Sequence, residues 1–160
     1  MSRPRPTKSV LVFVIGAVVL AGTMGQGCPG FGLPSAPPVI VELTNNTSQL
    51  VDPFLWADPA TIDDPAILMA TPPIPLGLPL NPPPPPDVIT VTFDCADAGT
   101  LVADGDLLLV PSGALASSNI LLMQEGFDYF CGDIVTFIYE VDDLGDFFTT
   151  VYVNDQYLAP

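Results

Sequence analysis

The sequence contains no histidine, and its three cationic residues all lie within the first eight positions. These cations are Arg3, Arg5 and Lys8, whereas the 18 carboxylates lie between Glu42 and Asp155. Beyond Lys8 the chain can form no side-chain salt bridge, and it offers no lysine or histidine as a base, nucleophile or metal ligand. Because phosphate contacts need Lys or Arg, nucleic-acid binding is excluded for this part of the chain.

Without histidine, the arrangements that pair a serine or cysteine nucleophile with a histidine base are also unavailable. Two carboxylates alone can hydrolyse a glycoside, so a carboxylate-based glycoside hydrolase stays open as a third, remote hypothesis. No feature marks any acid as the proton donor, and Glu42 and Glu140 fall at outward positions of predicted strands. We therefore predict that the protein is not an enzyme.

The first 28 residues have the pattern of an export signal. The cations precede an apolar run of 13 residues from Val10 to Gly22. This run is shorter than the roughly 20 residues that a membrane-spanning helix needs. Gly25 and Gly27 place small residues at the third and first positions before Cys28, as a signal peptidase requires. Two alternatives stay open, a permanent membrane-spanning anchor and ordinary secretion with Cys28 as a free thiol.

This combination of a basic segment, a short apolar core and Gly27-Cys28 resembles a bacterial lipoprotein precursor. The resemblance covers Met1 to Cys28 and implies that residues 1–27 are a signal peptide that is removed. It also implies that Cys28 is diacylated on sulfur and becomes the new N-terminus. The exported protein would then be held on the cell membrane or the outer membrane by its lipid, since each buried methylene contributes about 0.8 kcal/mol.

Proline and glycine divide the rest of the chain into a tether and one domain. Residues 28–38 are rich in both and predict a lipid-anchored tether, in which proline favours an extended chain and glycine prevents packing. Residues 39–160 are enough for one modest core and predict a single acidic domain. Within it, residues 71–86 include nine prolines, which predicts a stiff surface loop. A polyproline ligand for a groove in a partner protein is the alternative.

Strand signals dominate this domain. Residues 89–95 alternate apolar and polar side chains, which predicts a half-buried strand. Residues 134–141 and 147–153 are rich in aromatic and β-branched residues and flank a turn at Gly145, and Asn154-Asp155 predicts a further tight turn.

A second hairpin is predicted from residues 39–44 and 49–56, joined by a turn that begins at Asn45-Asn46. No convincing amphipathic helix is evident. The sequence therefore predicts an all-β fold, a small antiparallel β-sandwich that is Ig-like or jelly-roll-like, with about seven to nine short strands.

The three cysteines make an odd number, which in an exported chain requires an explanation. Assigning Cys28 to the lipid leaves Cys95 and Cys131, each at the end of a strand-like run. We predict a disulfide between them, because exported proteins fold in oxidising compartments. Two buried, unpaired thiols are the alternative.

Two kinds of binding residue are predicted. Asp142, Asp143 and Asp146 form an acidic loop that suits calcium, the only cofactor suggested, because calcium takes oxygen ligands. Turn formation is the competing role of these aspartates. Trp56 is the aromatic side chain nominated to stack on a ligand.

The leading functional hypothesis is a lipid-anchored cell-envelope protein that acts as a structural or binding module, with an envelope protein or a glycan as its partner. The alternative is a calcium-dependent recognition module for a glycan or a protein.

Overall fold

The structure is a computed structural model that describes residues 35–108 and 115–158. The predicted signal peptide and the lipidation site at Cys28 lie outside these residues. No helix in the described part of the chain is long and apolar enough to cross a membrane. In chain order the described elements are β1 (Val39–Asn45), β2 (Leu50–Asp58), α1 (Pro65–Met69), β3 (Val88–Phe93), a 3-10 turn (Cys95–Asp97), β4 (Thr100–Leu108), β5 (Leu115–Ser117), β6 (Leu121–Gln124), β7 (Ile134–Val141), β8 (Phe147–Val153) and β9 (Gln156–Leu158).

The strands form two sheets. The five-stranded sheet has the order β3-β1-β7-β8-β9, and the four-stranded sheet has the order β2-β4-β5 with β6 also paired to β4. The predicted all-β sandwich is confirmed, and nine strands in the described residues lie within the predicted range. One pair departs from the antiparallel prediction, because β7 runs parallel to β1. The chain alternates between the sheets, with β2 in the second sheet, β3 in the first, and β4, β5 and β6 in the second. It then returns beside β1 as β7, and these intervening elements make the long crossover that a parallel pair needs.

Alternating side chains explain why the two sheets pack against each other. In β1, Val39, Val41 and Leu43 are fully buried while the residues between them are half-exposed. Each such aliphatic side chain contributes about 1.5–3 kcal/mol when it is fully buried. The core joins both sheets, and its largest fully buried side chains are Tyr129, Tyr139, Phe137, Leu43, Leu55, Leu80, Leu101, Val39, Val41, Val51 and Val135.

The predicted hairpin between residues 39–44 and 49–56 is wrong, because β1 and β2 belong to different sheets. Asn45 redirects the chain between them. Its buried side chain accepts a hydrogen bond from the Thr47 amide at 2.8 Å and donates to the carbonyls of Gln49 and Leu80 at 2.7 and 3.0 Å. Strand periodicity shows which face of a strand is buried, but it does not show which strand lies beside it.

The proline-rich loop, residues 71–86, runs along the outer edge of β2. The amides of Val51 and Leu80 donate to each other's carbonyls at 3.1 and 2.8 Å, and the Ile74 amide donates to Leu55 at 2.8 Å. The buried Leu80 side chain fastens the loop to the core. An edge covered in this way cannot pair with another strand.

Tyr139 of β7 reaches across the core to β4 in the opposite sheet. Its buried hydroxyl donates to the Asp104 carbonyl at 2.8 Å. Burial raises the pKa of this hydroxyl far above its usual value, so it stays protonated and remains a donor. Gly105 permits the approach, because a Cβ atom at this position would lie 2.5 Å from Tyr139 Cε1.

We expect Gly105→Ala to destabilise the fold, because its methyl group would collide with the Tyr139 ring. Overpacking of this kind costs about 1–3 kcal/mol. Urea unfolding of Gly105→Ala, Tyr139→Leu and the double variant measures the coupling between the two positions. The alanine should cost less beside the smaller leucine, whereas an equal cost in both backgrounds would contradict the contact.

Candidate functional site

A disulfide joins Cys95, in the 3-10 turn after β3, to Cys131, in the segment before β7, with the two Cα atoms 5.4 Å apart. The predicted pairing is confirmed. The bridge closes a loop with a sequence separation of 36 residues. In the chain-entropy description, such a loop stabilises the fold by about 4 kcal/mol.

Glu125 lies beside the disulfide, with its Oε1 atom 3.8 Å from the Cys131 Sγ atom. The ligand atoms of Cys95, Glu125 and Cys131 lie within 4.8 Å of one another, and no other group of three His, Cys, Asp or Glu residues in the described ranges is so close. Metals bind the cysteine thiolate. Sulfurs in a disulfide are not thiolates, so the oxidised pair does not make this cluster a metal centre.

The acidic loop between β7 and β8 is organised as a turn. The Asp142 Oδ1 atom accepts hydrogen bonds from the backbone amides of Leu144 and Asp146 at 2.8 and 2.9 Å. Gly145 takes a positive φ of 91° and closes the turn, as predicted. The structure therefore shows Asp142 in the turn-forming role, and it does not gather the carboxylates of Asp142, Asp143 and Asp146 into one tight cluster.

Trp56 is buried and is not presented to a ligand. Its side chain is 7% exposed and packs with Leu68 of α1 and Val102 of β4 on the outer face of the four-stranded sheet. The indole Nε1 atom donates to the Thr71 carbonyl at 2.9 Å. Sequence patterns did not predict α1, and this short helix covers the face on which Trp56 lies.

The structure instead exposes two phenylalanines near the disulfide. Phe127 and Phe130 are 80% and 60% exposed, and they flank the fully buried Tyr129. The Tyr129 hydroxyl donates to the Ala98 carbonyl at 2.6 Å and holds the loop in place. No sequence pattern marked these phenylalanines as exposed. Gly126 and Gly132, which both take positive φ, are the turn signals that place them outside a strand.

The pKa of the Asp104 carboxyl group is raised above its ordinary value. Partial burial of this side chain is the main cause, and the nearby charge of Asp106 adds to it. Hydrogen bonds from the Gly105 amide at 2.7 Å and the Ser118 hydroxyl at 3.1 Å act in the opposite direction. The ionised Asp104 therefore destabilises the folded state.

The backbone of β1 shows which groups of β3 are free to pair. The Asn46 amide donates to Tyr139 of β7 at 2.9 Å, whereas the Asn45 amide donates to Asp87, beside β3, at 3.5 Å. Even-numbered residues of β1 thus face β7, and odd-numbered residues face β3. This alternation follows from strand geometry.

In the register of β1 with β3, Ile89, Val91 and Phe93 stand opposite odd-numbered residues of β1. The N–H and C=O groups of these three residues therefore point toward β1. The N–H and C=O groups of the alternate residues, Val88, Thr90 and Thr92, point away from β1. No described strand lies on that side of β3.

A groove with a volume of about 330 Å³ lies where β3 begins, between this strand and the proline-rich loop. Leu76, Leu78, Val88 and Ile89 contribute apolar walls. Leu78 is 83% exposed and Val88 is 50% exposed. The groove therefore offers apolar surface beside the open backbone edge of β3.

Asp87 gives this groove a negative charge. Its Oδ2 atom accepts hydrogen bonds from the Asn81 backbone amide at 2.9 Å and from Asn81 Nδ2 at 2.7 Å. These two hydrogen bonds hold the pKa of Asp87 below its ordinary value, and the bond from the backbone amide has the larger effect. The carboxylate therefore stays ionised at neutral pH and closes the base of the loop.

Of the residues nominated from the sequence, the structure brings Cys95 and Cys131 together and buries Trp56 beneath α1. Comparison of the chain with protein-family models, with curated proteins and with solved structures found no match. The candidate site is therefore identified from the structure alone. It consists of the outer edge of β3, which no described strand covers, and the adjoining groove.

We expect Asp142→Ala to destabilise the turn, because two backbone amides lose their acceptor. The loss should be about 0.5–1.5 kcal/mol. Asp143→Ala removes an equal charge next to it and should change stability by less than about 0.5 kcal/mol. Thermal unfolding of both variants measures these two changes in stability.

The same measurement with calcium or magnesium at equal ionic strength tests the calcium prediction. A calcium-specific rise in melting temperature that Asp142→Ala removes would support it. Equal shifts with both ions would exclude this loop as a calcium site.

Asp104→Asn should stabilise the protein at pH 7 by less than about 1 kcal/mol, since solvent screens the partly exposed carboxylate. The variant keeps an acceptor for Gly105 and Ser118 while removing the charge. The raised pKa means that the folded state holds its proton more tightly, so the penalty develops as pH rises through that pKa. Urea unfolding at pH 7 and pH 3 should show an advantage that disappears in acid. An advantage of the same size at both pH values would contradict this cause.

Proposed function

We propose that the chain is an exported cell-envelope protein, anchored by lipid at Cys28, whose folded domain serves as a non-catalytic structural or binding module. The observation that carries the proposal is that a disulfide-bridged β-sandwich follows an N-terminal segment with the pattern of an export signal. This segment contains a short apolar run and then Gly27-Cys28. Disulfides persist mainly in oxidising compartments, which supports export. Pairing Cys95 with Cys131 leaves Cys28 as the remaining cysteine for acylation.

The position of the domain relative to this cysteine supports attachment to a membrane surface. The first strand of the domain begins at Val39, eleven residues beyond Cys28. A chain segment of that length spans at most about 40 Å. An acylated Cys28 would therefore hold the sandwich close to the lipid headgroups and leave its binding surfaces available to other envelope components.

The net charge supports the same role. Every charged side chain beyond Lys8 is acidic, so an anionic membrane surface repels the domain. Attachment to such a membrane would then depend on the lipid rather than on contacts made by the domain. More than one acyl chain is needed for stable attachment, and a diacylated cysteine meets this requirement.

The intact mass of the exported protein, measured with and without reductant, tests this proposal. We expect a chain that begins at Cys28, carries added acyl mass and gains two hydrogens when the disulfide is reduced. Cys28→Ser is the matched control and should lack the acyl mass and the membrane attachment. A chain that begins elsewhere, or begins at Cys28 without acyl groups, would exclude the lipid anchor.

A further inference from the structure

We propose that the outer edge of β3 binds an extended segment of a partner protein in which basic and apolar side chains alternate. This inference rests on the binding role proposed above, but it does not depend on the lipid anchor. Three features of the described residues carry it, namely the free backbone edge, the apolar groove and the charge.

The backbone edge supplies the hydrogen bonds. Val88, Thr90 and Thr92 direct their N–H and C=O groups away from β1, toward a side on which no described strand pairs. An added strand satisfies such groups by extending the ladder. The side chains of these three residues are exposed on the outer face of the sheet.

Nothing in the composition of β3 blocks pairing. Proteins normally protect an edge strand with a proline, a charged side chain or a covering loop. The strand Val88–Phe93 contains no proline and no charged residue. The edge of β2 provides the contrast within the same molecule, because the proline-rich loop bonds to Val51 and Leu55 there.

The groove supplies a pocket for an apolar side chain. It opens beside Val88 and Ile89, at the first residues of the free edge. Alternate side chains of an added strand point to the same face. A strand aligned on β3 would therefore direct some of its side chains toward the groove and toward the half-buried Val91 and Phe93, while the intervening side chains face solvent.

Charge defines the chemistry of the partner. Asp87 and Asp94 flank the two ends of β3, and the other charged side chains of the domain are also carboxylates. A segment with lysine or arginine at its solvent-facing positions would be attracted to this surface. A second copy of the same domain would instead bring like charges together, so β3-to-β3 pairing between copies is disfavoured.

Hydrogen exchange measured by NMR on the full exported chain in detergent tests the edge directly. The probe is a blocked heptapeptide of alternating lysine and valine, and its controls are the glutamate-valine and all-lysine heptapeptides. On addition of the probe, the amides of Val88, Thr90 and Thr92 should exchange at least tenfold more slowly. Those of Ile89 and Val91, which already face β1, should change little.

Thr90→Pro provides a second test that leaves the charge unchanged. Its missing N–H faces away from β1, so the proline is compatible with the sandwich and should block only the added strand. Thr90→Val is the matched control, because it keeps the N–H and only replaces the hydroxyl with a methyl group of similar size. By fluorescence anisotropy, Thr90→Pro should weaken probe binding at least tenfold and Thr90→Val should leave it within about twofold of the unsubstituted chain.

Several outcomes would overturn the proposal. These are equal binding by Thr90→Pro and Thr90→Val, equal binding of the all-lysine control, and protection of the three amides before any probe is added. Concentration-dependent dimers that Thr90→Pro abolishes would assign the edge to a second copy instead. Repeating the exchange measurement on Cys28→Ser separates this result from the fate of the lipid anchor, because the edge does not require acylation.

Discussion

Every charged side chain beyond Lys8 is a carboxylate, so no ion pair can join the two sheets. Like charges on a small domain repel one another and oppose its compact state. Attraction between opposite charges therefore contributes nothing to the cohesion of the two sheets. Apolar burial supplies most of this cohesion, and the Tyr139 hydroxyl adds a directional bond to the Asp104 carbonyl of the opposite sheet. The Tyr129 hydroxyl adds a similar bond between two connecting segments. The disulfide then closes the end of the sandwich next to Tyr129.

The same charge shapes how the surface can be used. An uncharged strand such as β3, whose outer edge no described strand covers, normally invites pairing between identical chains. Here the surrounding carboxylates, including Asp87 and Asp94, oppose such contacts between copies. A basic partner segment, as proposed above, would not meet this repulsion. The acidity is thus linked both to the solubility of the domain and to its selectivity.

Local patterns in the sequence identified several strands in which buried and more exposed residues alternate, as in β1 and β7. They also identified turns that need a positive φ, at Gly145 and at Asn154-Asp155. They failed where distant residues decide the outcome. In β4, Leu101 to Ala103 are all buried and show no alternation between buried and exposed side chains. The core covers one face of this strand, and Trp56 with α1 covers the other. The free edge of β3 was not predictable either, since strand order is a property of the whole sheet and not of Val88–Phe93 alone.

The central claim is that neutral contacts hold the sandwich together against repulsion between its carboxylates. The most direct test is the free energy of unfolding in urea, an uncharged denaturant, measured at pH 7 over a range of sodium chloride concentrations. Salt shortens the range of charge interactions, to about 10 Å at 0.1 M and about 3 Å at 1 M. We predict that stability rises steadily with salt as this repulsion is screened. Stability that stays constant or falls over the same range would contradict the account.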